Sequence, residues 1–96
     1  MKNGSHAEIV RKIQRNRDMA AFQQLVLAYQ EKLYYLIRKM VYSHEDSQDL
    51  LQEVFIRALK KIDKLREPEK FNSWIYNIAV NMVIDFKRKQ HWNGLK

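Results

Sequence analysis

Two amides and a basic cluster share one side of a predicted helix near the C-terminal end of the chain. Asn77 and Asn81 are spaced i, i+4, and Arg88 returns to the same side. Asn is a poor residue for a helix interior, so two of them on one face suggest amides kept for hydrogen bonding, as in the reading of base edges. A plain solvated face is an equal alternative. Lys87–Lys89 adds three cations suited to phosphates, although cations near a helix C-terminus are stabilising without any ligand.

Aromatic and basic side chains interleave around the loop before this helix and in its first turn, the combination that binds unstacked bases. These side chains are Lys64, Arg66, Lys70, Phe71, Trp74 and Tyr76. Asp63–Lys70 contains the single Pro of the chain and has no apolar periodicity, so it is predicted to be a loop. Trp74 lies at the edge of the predicted core, so we also expect it to pack there.

An acidic segment separates two basic stretches. Residues 44–53 contain four acids and no Lys or Arg. On a helical wheel Asp46, Asp49 and Glu53 fall within about 60° of one another, with Gln52 and Ile56 beside them. This arc is either a solvated face whose acids favour the positive helix N-terminus, or a docking surface for a basic partner with Ile56 as its apolar contact.

Catalytic and metal-binding patterns are missing from the sequence. The two Gly lie 90 residues apart, so there is no Gly-rich phosphate loop, and His6, His44 and His91 are scattered. We therefore expect no enzyme activity, no metal and no cofactor. The absence of Cys fits a reducing compartment.

Composition predicts one folded, basic domain. The chain has 96 residues, of which 46% are hydrophobic and 30% charged, with a net charge of +7. This charge favours an anionic partner. No apolar run approaches the roughly 18–20 residues of a membrane span, and no signal peptide is visible.

Apolar spacing is helical almost throughout and predicts an all-α fold, a compact bundle of four helices. The helices are expected at Ala7–Arg15, from Asp18 as N-cap to about Val41, from about Asp46 to Ile62, and from a cap at Asn72 or Ser73 to about Lys89. Ser43 or Ser47 is expected to cap the third helix. The predicted core stripes are Ile9, Val10 and Ile13; Phe22, Leu25, Val26, Tyr29, Leu33, Leu36, Ile37 and Met40; Leu51, Val54, Phe55, Ala58 and Ile62; and Phe71, Trp74, Ile75, Ile78, Met82 and Phe86. We expect residues 1–6 to be a disordered extension or a tag remnant, residues 7–90 to be the domain, and residues 91–96 to begin a linker.

Two ordered runs resemble bacterial RNA polymerase sigma factors. Residues 46–58, DSQDLLQEVFIRA, resemble the family's DAEDLxQExFxxA stretch. Residues 71–81, FNSWIYNIAVN, followed by DFKRK at 85–89, resemble its FxxWLYxIAxN…DxxR[RK] stretch. Asp18–Phe22 and Tyr29 match the family's first helix pair. The match covers about residues 7–90, and the compactness suggests conserved region 2 of the extracytoplasmic-function, or group IV, branch.

This resemblance implies a role in transcription initiation. It implies that the third helix docks on the β′ clamp coiled coil of core RNA polymerase, through Asp46, Asp49, Leu50, Gln52, Glu53 and Ile56. It implies that the loop and the fourth helix recognise and melt the minus-ten promoter element by capturing unpaired non-template bases. The implied DNA-binding residues are Leu65, Arg66, Lys70, Phe71, Ser73, Trp74, Asn77 and Asn81, with Lys87, Arg88 and Lys89 on phosphates.

Other expectations also follow from the resemblance. The family often has an aromatic residue where Leu65 stands and a Gly near Glu67, so the resemblance does not fix which promoter sequence this chain prefers. Glu67 and Glu69 would weaken its affinity for DNA. Members of this branch carry a second, helix-turn-helix domain, so we expect an excised domain, with a natural region-2-only protein as the alternative. The expected location is the cytoplasm, at the nucleoid. An anti-sigma factor is a further expected partner, and the alternative function is a helical protein–protein module without DNA readout.

Overall fold

The structure, a computed structural model, describes the backbone of residues 2–94 and the side chains of residues 6–92. It contains four α-helices: α1 (Lys2–Asn16), α2 (Met19–Met40), α3 (His44–Lys61) and α4 (Phe71–Gly94). Two short 3-10 turns, Ile62–Lys64 and Pro68–Lys70, occupy the connection between α3 and α4. No strand occurs within residues 2–94, so the predicted all-α bundle of four helices is confirmed.

Side-chain caps begin α2 and α3. The Asp18 carboxylate accepts from the Ala21 backbone N–H at 3.1 Å, as predicted. The Ser43 hydroxyl accepts from the Asp46 backbone N–H at 3.1 Å, which selects Ser43 from the two candidate caps. Ser47 is instead fully buried, and its hydroxyl donates to the Ser43 carbonyl at 2.8 Å. Each helix therefore begins where a short polar side chain satisfies a backbone N–H that has no partner within the helix.

The predicted cap of α4 is wrong. Asn72 and Ser73 lie inside the helix, because the 3-10 turn that begins at Pro68 leads directly into it. The Phe71 backbone N–H donates to the Pro68 carbonyl, and the Lys70 N–H donates to the Glu67 carbonyl at 2.8 Å. Pro suits this first position because its φ is already close to a helical value and it lacks an N–H that would need a partner.

Both terminal helices extend beyond their predicted bounds. α1 begins at Lys2 rather than at Ala7 and includes most of the predicted extension. Packing explains the added turn: Ala7 is buried, and a ring nitrogen of His6 lies 3.2 Å from the Tyr29 hydroxyl. α4 continues past Lys89 into the predicted linker, and Trp92 in its last turn is exposed. Met1, Leu95 and Lys96 lie outside the described residues.

The core lies between the four helices and differs from the predicted stripes on α3 and α4. On α4 the fully buried residues are Phe71, Ile75, Ala79 and Val83, while Trp74, Ile78, Met82 and Phe86 flank them half-buried. On α3 Ser47 and Leu50 are buried, and Leu51 is half-buried. The buried rows follow the i+4 ridge along which neighbouring helices pack, and α3 packs against both α2 and α4. Two packing partners move the buried arc away from the one that apolar content alone predicts.

Candidate functional site

The connection between α3 and α4, residues 62–70, is held at both ends and projects at its centre; we call it the α3–α4 loop. Ile62 and Pro68 are buried, and Leu65 packs half-buried against the core. Arg66 and Glu67 are exposed between these anchors. The segment therefore has a short tip, residues 65–67, between the two 3-10 turns, with Leu65 half-buried and Arg66 and Glu67 exposed.

The acids of the α3–α4 loop are paired with cations. The Lys70 ammonium lies 3.2 Å from the Glu67 carboxylate, and the Arg11 guanidinium lies 2.5 Å from the Glu69 carboxylate. A hydrogen bond from its own backbone N–H, together with the bond from Arg11, holds the pKa of Glu69 below its usual value. The negative charge that would repel a nucleic acid is thus partly compensated within the molecule.

Phe71 is a core residue, and its predicted DNA contact is wrong. Its side chain is 1% exposed, with its ring 5.3 Å from the ring of Tyr29. On the other side its ring centroid lies 5.7 Å from the centroid of Trp74. Trp74 is half-buried, so one part of the indole packs against Phe71 while the rest reaches solvent. Phe71 supports the aromatic surface from beneath and does not form part of it.

The outer face of α4 carries the predicted amides in an exposed row. Ser73, Asn77 and Asn81 are all exposed and share one side of the helix opposite the buried row. The Ser73 hydroxyl donates back to the Lys70 carbonyl at 3.2 Å, joining α4 to the α3–α4 loop. Lys87, Arg88 and Lys89 are exposed beyond the amides, with Arg88 3.5 Å from Asp85. The outer face of α4 therefore presents the amides and Arg88 as one exposed surface, with Lys87 and Lys89 on either side, and the Ser73 hydrogen bond joins this face to the α3–α4 loop.

Ile84 belongs to this surface and was missed at the sequence level. Its side chain is 42% exposed, and on the helix it lies between Asn81 and Arg88. An apolar residue at the wheel position of the amides was the signal that could have identified it. Such a side chain can contact the methyl group of thymine or the face of a sugar.

The acidic surface of α3 is exposed except at two of its predicted members. We define this surface as Asp49, Gln52, Glu53 and Ile56, of which Ile56 is 47% exposed. Asp46 is half-buried at the start of the helix. Leu50 is only 8% exposed and packs in the core, so it is misplaced as a docking contact. The spacing that brings Asp46, Asp49 and Glu53 together turns Leu50 inward.

A groove between α2 and α3 borders the acidic surface and was not predicted. Its volume is about 380 Å³. Its walls are formed by Leu27, Gln30, Glu31, Tyr34, Tyr35, His44, Gln48 and Leu51. The Tyr34 hydroxyl and a ring nitrogen of His44 lie 2.5 Å apart across it, and Leu27 and Tyr35 are more than half exposed, at 61% and 57%. These two large apolar side chains on the outer face of α2 were the signal in the sequence.

The described part of the chain holds no metal-binding cluster and no membrane-spanning helix. Among these residues, no group of three or more His, Asp or Glu lies close enough to hold a metal ion. None of their helices has the length and apolar character needed to cross a bilayer.

Comparisons with known proteins all match one protein family. A family model described as Sigma-70 region 2 matches residues 25–93. The chain is 40% identical over 73 residues to the ECF RNA polymerase sigma factor SigW of Bacillus subtilis, covering 76% of this chain and 39% of that protein. It is 40% identical over 78 residues to the ECF RNA polymerase sigma-E factor of Escherichia coli, covering 81% of this chain and 40% of that protein. The chain thus spans about two fifths of the length of these curated relatives.

A solved structure has the same fold. It is an NMR structure of an engineered region 2 of sigmaE in complex with GTAAAA. The two chains superpose with a TM-score of 0.81 at 35% sequence identity, covering 90% of this chain and 88% of the other.

Proposed function

Because this chain belongs to the sigma-70 region 2 family, we propose that it acts in transcription initiation, where it docks on core RNA polymerase and recognises the minus-ten promoter element. The observation that carries this proposal is the exposed row of Ser73, Asn77 and Asn81 on the outer face of α4, which the Ser73 hydrogen bond joins to the α3–α4 loop. The related region 2 of sigmaE, in its complex with GTAAAA, has the same fold over 90% of this chain.

In the proposed DNA site an unpaired non-template base is captured beside the loop tip. Extruding a base from a duplex costs a few kcal/mol, and stacking on an aromatic side chain returns about 1–3 kcal/mol per base. Trp74 supplies a half-buried aromatic ring, and Leu65, Arg66 and Lys70 of the preceding α3–α4 loop supply apolar area and positive charge. Ser73, Asn77 and Asn81 supply hydrogen bonds to base edges, and Lys87, Arg88 and Lys89 contact phosphates. Phe71 contributes by supporting Trp74 from the core.

In the proposed polymerase site the acidic surface of α3 meets the β′ clamp coiled coil. Asp49 and Glu53 supply negative charge for a basic partner, Gln52 supplies hydrogen bonds, and Ile56 supplies apolar area. Asp46 contributes at the half-buried edge. The groove between α2 and α3 extends this surface with aromatic and aliphatic side chains, the kind of composition found at the centre of protein interfaces.

The acidic surface of α3 and the groove between α2 and α3 also define the alternative function. An anti-sigma factor that covered the acidic surface and the α2–α3 groove would sequester the domain from polymerase. A helical interaction module without DNA readout would use the groove alone, and its size and exposed Leu27 and Tyr35 are the observations that favour it.

Paired binding assays test the proposal. Retention on purified core RNA polymerase and affinity for the single-stranded DNA hexamer GTAAAA are measured at two salt concentrations. Glu53→Lys is expected to abolish retention and leave hexamer affinity unchanged, whereas Asn81→Ala is expected to weaken hexamer binding and leave retention unchanged. Glu8→Lys is the matched control, because it makes the same charge change at an exposed position of α1.

Two outcomes would contradict the proposal. If the folded wild-type chain is not retained on core polymerase at low salt, polymerase docking is wrong. If it is retained but binds no hexamer, the interaction module without DNA readout is favoured instead.

A further inference from the structure

Side chains of α1 hold the α3–α4 loop from behind. The Gln14 side-chain amide donates to the backbone carbonyls of Ile62 and Leu65, at 2.8 and 2.9 Å. One NH2 group thereby spans the whole first half of the loop. The donor and its acceptors are separated by 48 and 51 residues in sequence. The contact is therefore tertiary and joins the first helix of the chain to the recognition element.

These hydrogen bonds satisfy backbone groups that the end of a helix leaves open. The last carbonyls of a helix have no partner within it, and α3 passes into a 3-10 turn at Ile62. The Ile62 carbonyl accepts from the Leu65 N–H at 3.1 Å as well as from Gln14. The Gln14 amide also donates to the Leu65 carbonyl, so it contacts the backbone at the residue where the tip begins.

Two arginines of the same segment secure the rest of the loop. Arg11 bonds the Glu69 carboxylate on the far side of the tip. Arg17 reaches the Asp63 carboxylate at 3.6 Å and the Leu59 carbonyl at 3.4 Å. Arg11 of α1 and Arg17, which follows α1, thus attach the chain on both sides of the tip at residues 65–67. The hydrogen bonds of Gln14 are partly buried, whereas those of the two arginines are exposed, so the Gln14 attachment is the least accessible to competing water.

We propose that Gln14 is a positioning residue for base recognition, which sets the conformation of the loop tip and thereby the preference among unpaired bases. It touches the loop backbone rather than the surface assigned to DNA, so its effect is indirect. Only the expected effect of Gln14 on DNA binding rests on the proposed function. The ordering of the loop by Gln14 stands on the hydrogen bonds alone.

Gln14→Glu tests the proposal with almost no change of shape. The substitution replaces a donor of two hydrogen bonds with a carboxylate that repels both carbonyls. Gln23→Glu is the matched control, because it makes the same change at an exposed position of α2. Gln14→Met is a second variant that removes both hydrogen-bond donors without adding a charge, so it keeps the test valid if Gln14→Glu impairs folding.

The first readout is amide hydrogen exchange, which does not depend on any ligand. In Gln14→Glu the backbone N–H of Leu65 is expected to exchange at least about tenfold faster. The reason is that the Ile62 carbonyl, which accepts from this N–H, loses its hydrogen bond from Gln14. The amide of Ala79 in the buried row of α4 is expected to stay at the wild-type rate, which separates local loosening from global destabilisation. Equal Leu65 exchange in wild type and Gln14→Glu would overturn the positioning role.

The second readout is affinity for the hexamer GTAAAA and a set of single-base variants of it. Gln14→Glu is expected to weaken GTAAAA binding about tenfold and to reduce the difference in affinity between GTAAAA and its single-base variants. Retention on core polymerase is expected to stay unchanged. If the wild-type chain binds the hexamer and Gln14→Glu binds it with equal affinity and selectivity, the inference is wrong. If the wild-type chain binds no hexamer, the proposed DNA function fails instead, and the exchange result still decides whether Gln14 orders the loop.

Discussion

Trp74 combines two roles at the scale of a single residue. Its indole packs against the buried Phe71 ring and also reaches the surface. Core packing and base stacking, both expected of Trp74, are compatible because they use different parts of one large ring system.

Trp74→Ala should weaken binding of the single-stranded hexamer by about 1–3 kcal/mol, the contribution of one stacked base. Trp74→Phe should retain most of the affinity because it keeps an aromatic face. Fluorescence anisotropy with a labelled hexamer measures both variants, and thermal unfolding reports the packing cost separately. Equal affinity of wild type and Trp74→Ala would remove Trp74 from the DNA site.

Leu50 and Ile56 are both apolar residues of α3, but Leu50 is 8% exposed and Ile56 is 47% exposed. Leu50→Ala should therefore destabilise the fold by about 2–4 kcal/mol through loss of burial and a residual cavity. Ile56→Ala should change stability by less than about 0.5 kcal/mol and act on polymerase retention instead. Urea unfolding with both variants checks the pair, and a similar loss of stability in the two would contradict the assignment of Leu50 to the core.

Tyr29 links stability to alkaline pH. Burial, and secondarily the neighbouring Tyr76, raises the pKa of the Tyr29 hydroxyl above its ordinary value. The folded state then holds this proton to a higher pH than the unfolded chain. The contribution of the protonated Tyr29 to the free energy of unfolding is therefore complete below about pH 10 and is lost as the pH rises beyond it. Tyr29→Phe should show a shallower fall in the free energy of unfolding between about pH 9.5 and pH 11. Parallel pH profiles of wild type and variant would be inconsistent with this linkage.

At the scale of the element, α4 presents a core row and a recognition row on opposite sides. The second half of its buried row, Ala79 and Val83, has smaller side chains than the first half, Phe71 and Ile75. Its outer row contains Asn77 and Asn81, whose amides favour turns and caps over helix interiors. The helix therefore gives up some intrinsic stability on the face that is proposed to read bases.

The double substitution of Asn77 and Asn81 by Ala should make the protein more stable and less able to bind DNA. Ala is a better helix former by about 0.5 kcal/mol per site, and neither side chain is buried. The melting temperature should rise while hexamer affinity falls. A variant that gained stability and kept full affinity would show that the amides are only a solvated face.

At the scale of the whole molecule, charge is distributed between two surfaces of different sign. The chain carries a net charge of +7, yet α3 presents the exposed acids Asp49 and Glu53 while α4 ends in three exposed cations, Lys87–Lys89. Glu53 and Lys89 line one depression between α3 and α4, so the acidic surface and the basic cluster meet there.

Salt dependence tests the role of the basic cluster. For a single-stranded oligonucleotide long enough to extend along α4 on both sides of GTAAAA, replacing Lys87, Arg88 and Lys89 by Gln should reduce the slope of log affinity against log salt by about 2, at about 0.7 per phosphate contact. Asn81→Ala, which removes no charge, is the control and should leave the slope unchanged. An unaltered slope in the triple variant would place the phosphate contacts elsewhere.

Local patterns were enough to predict the four helices, the Asp18 cap, the amide row and the acidic arc, because periodicity and capping depend on residues within one turn of each other. Tertiary packing decided the rest. Whether Leu50 or Leu51 is buried, and whether Ala79 replaces Ile78 in the core row, depends on which helices lie on either side. The hydrogen bonds of Gln14 to Ile62 and Leu65 cross about half the chain, and no short-range pattern encodes a partner at that distance. The position of the loop tip is therefore a property of the folded molecule, since the side chain that orders it comes from another helix.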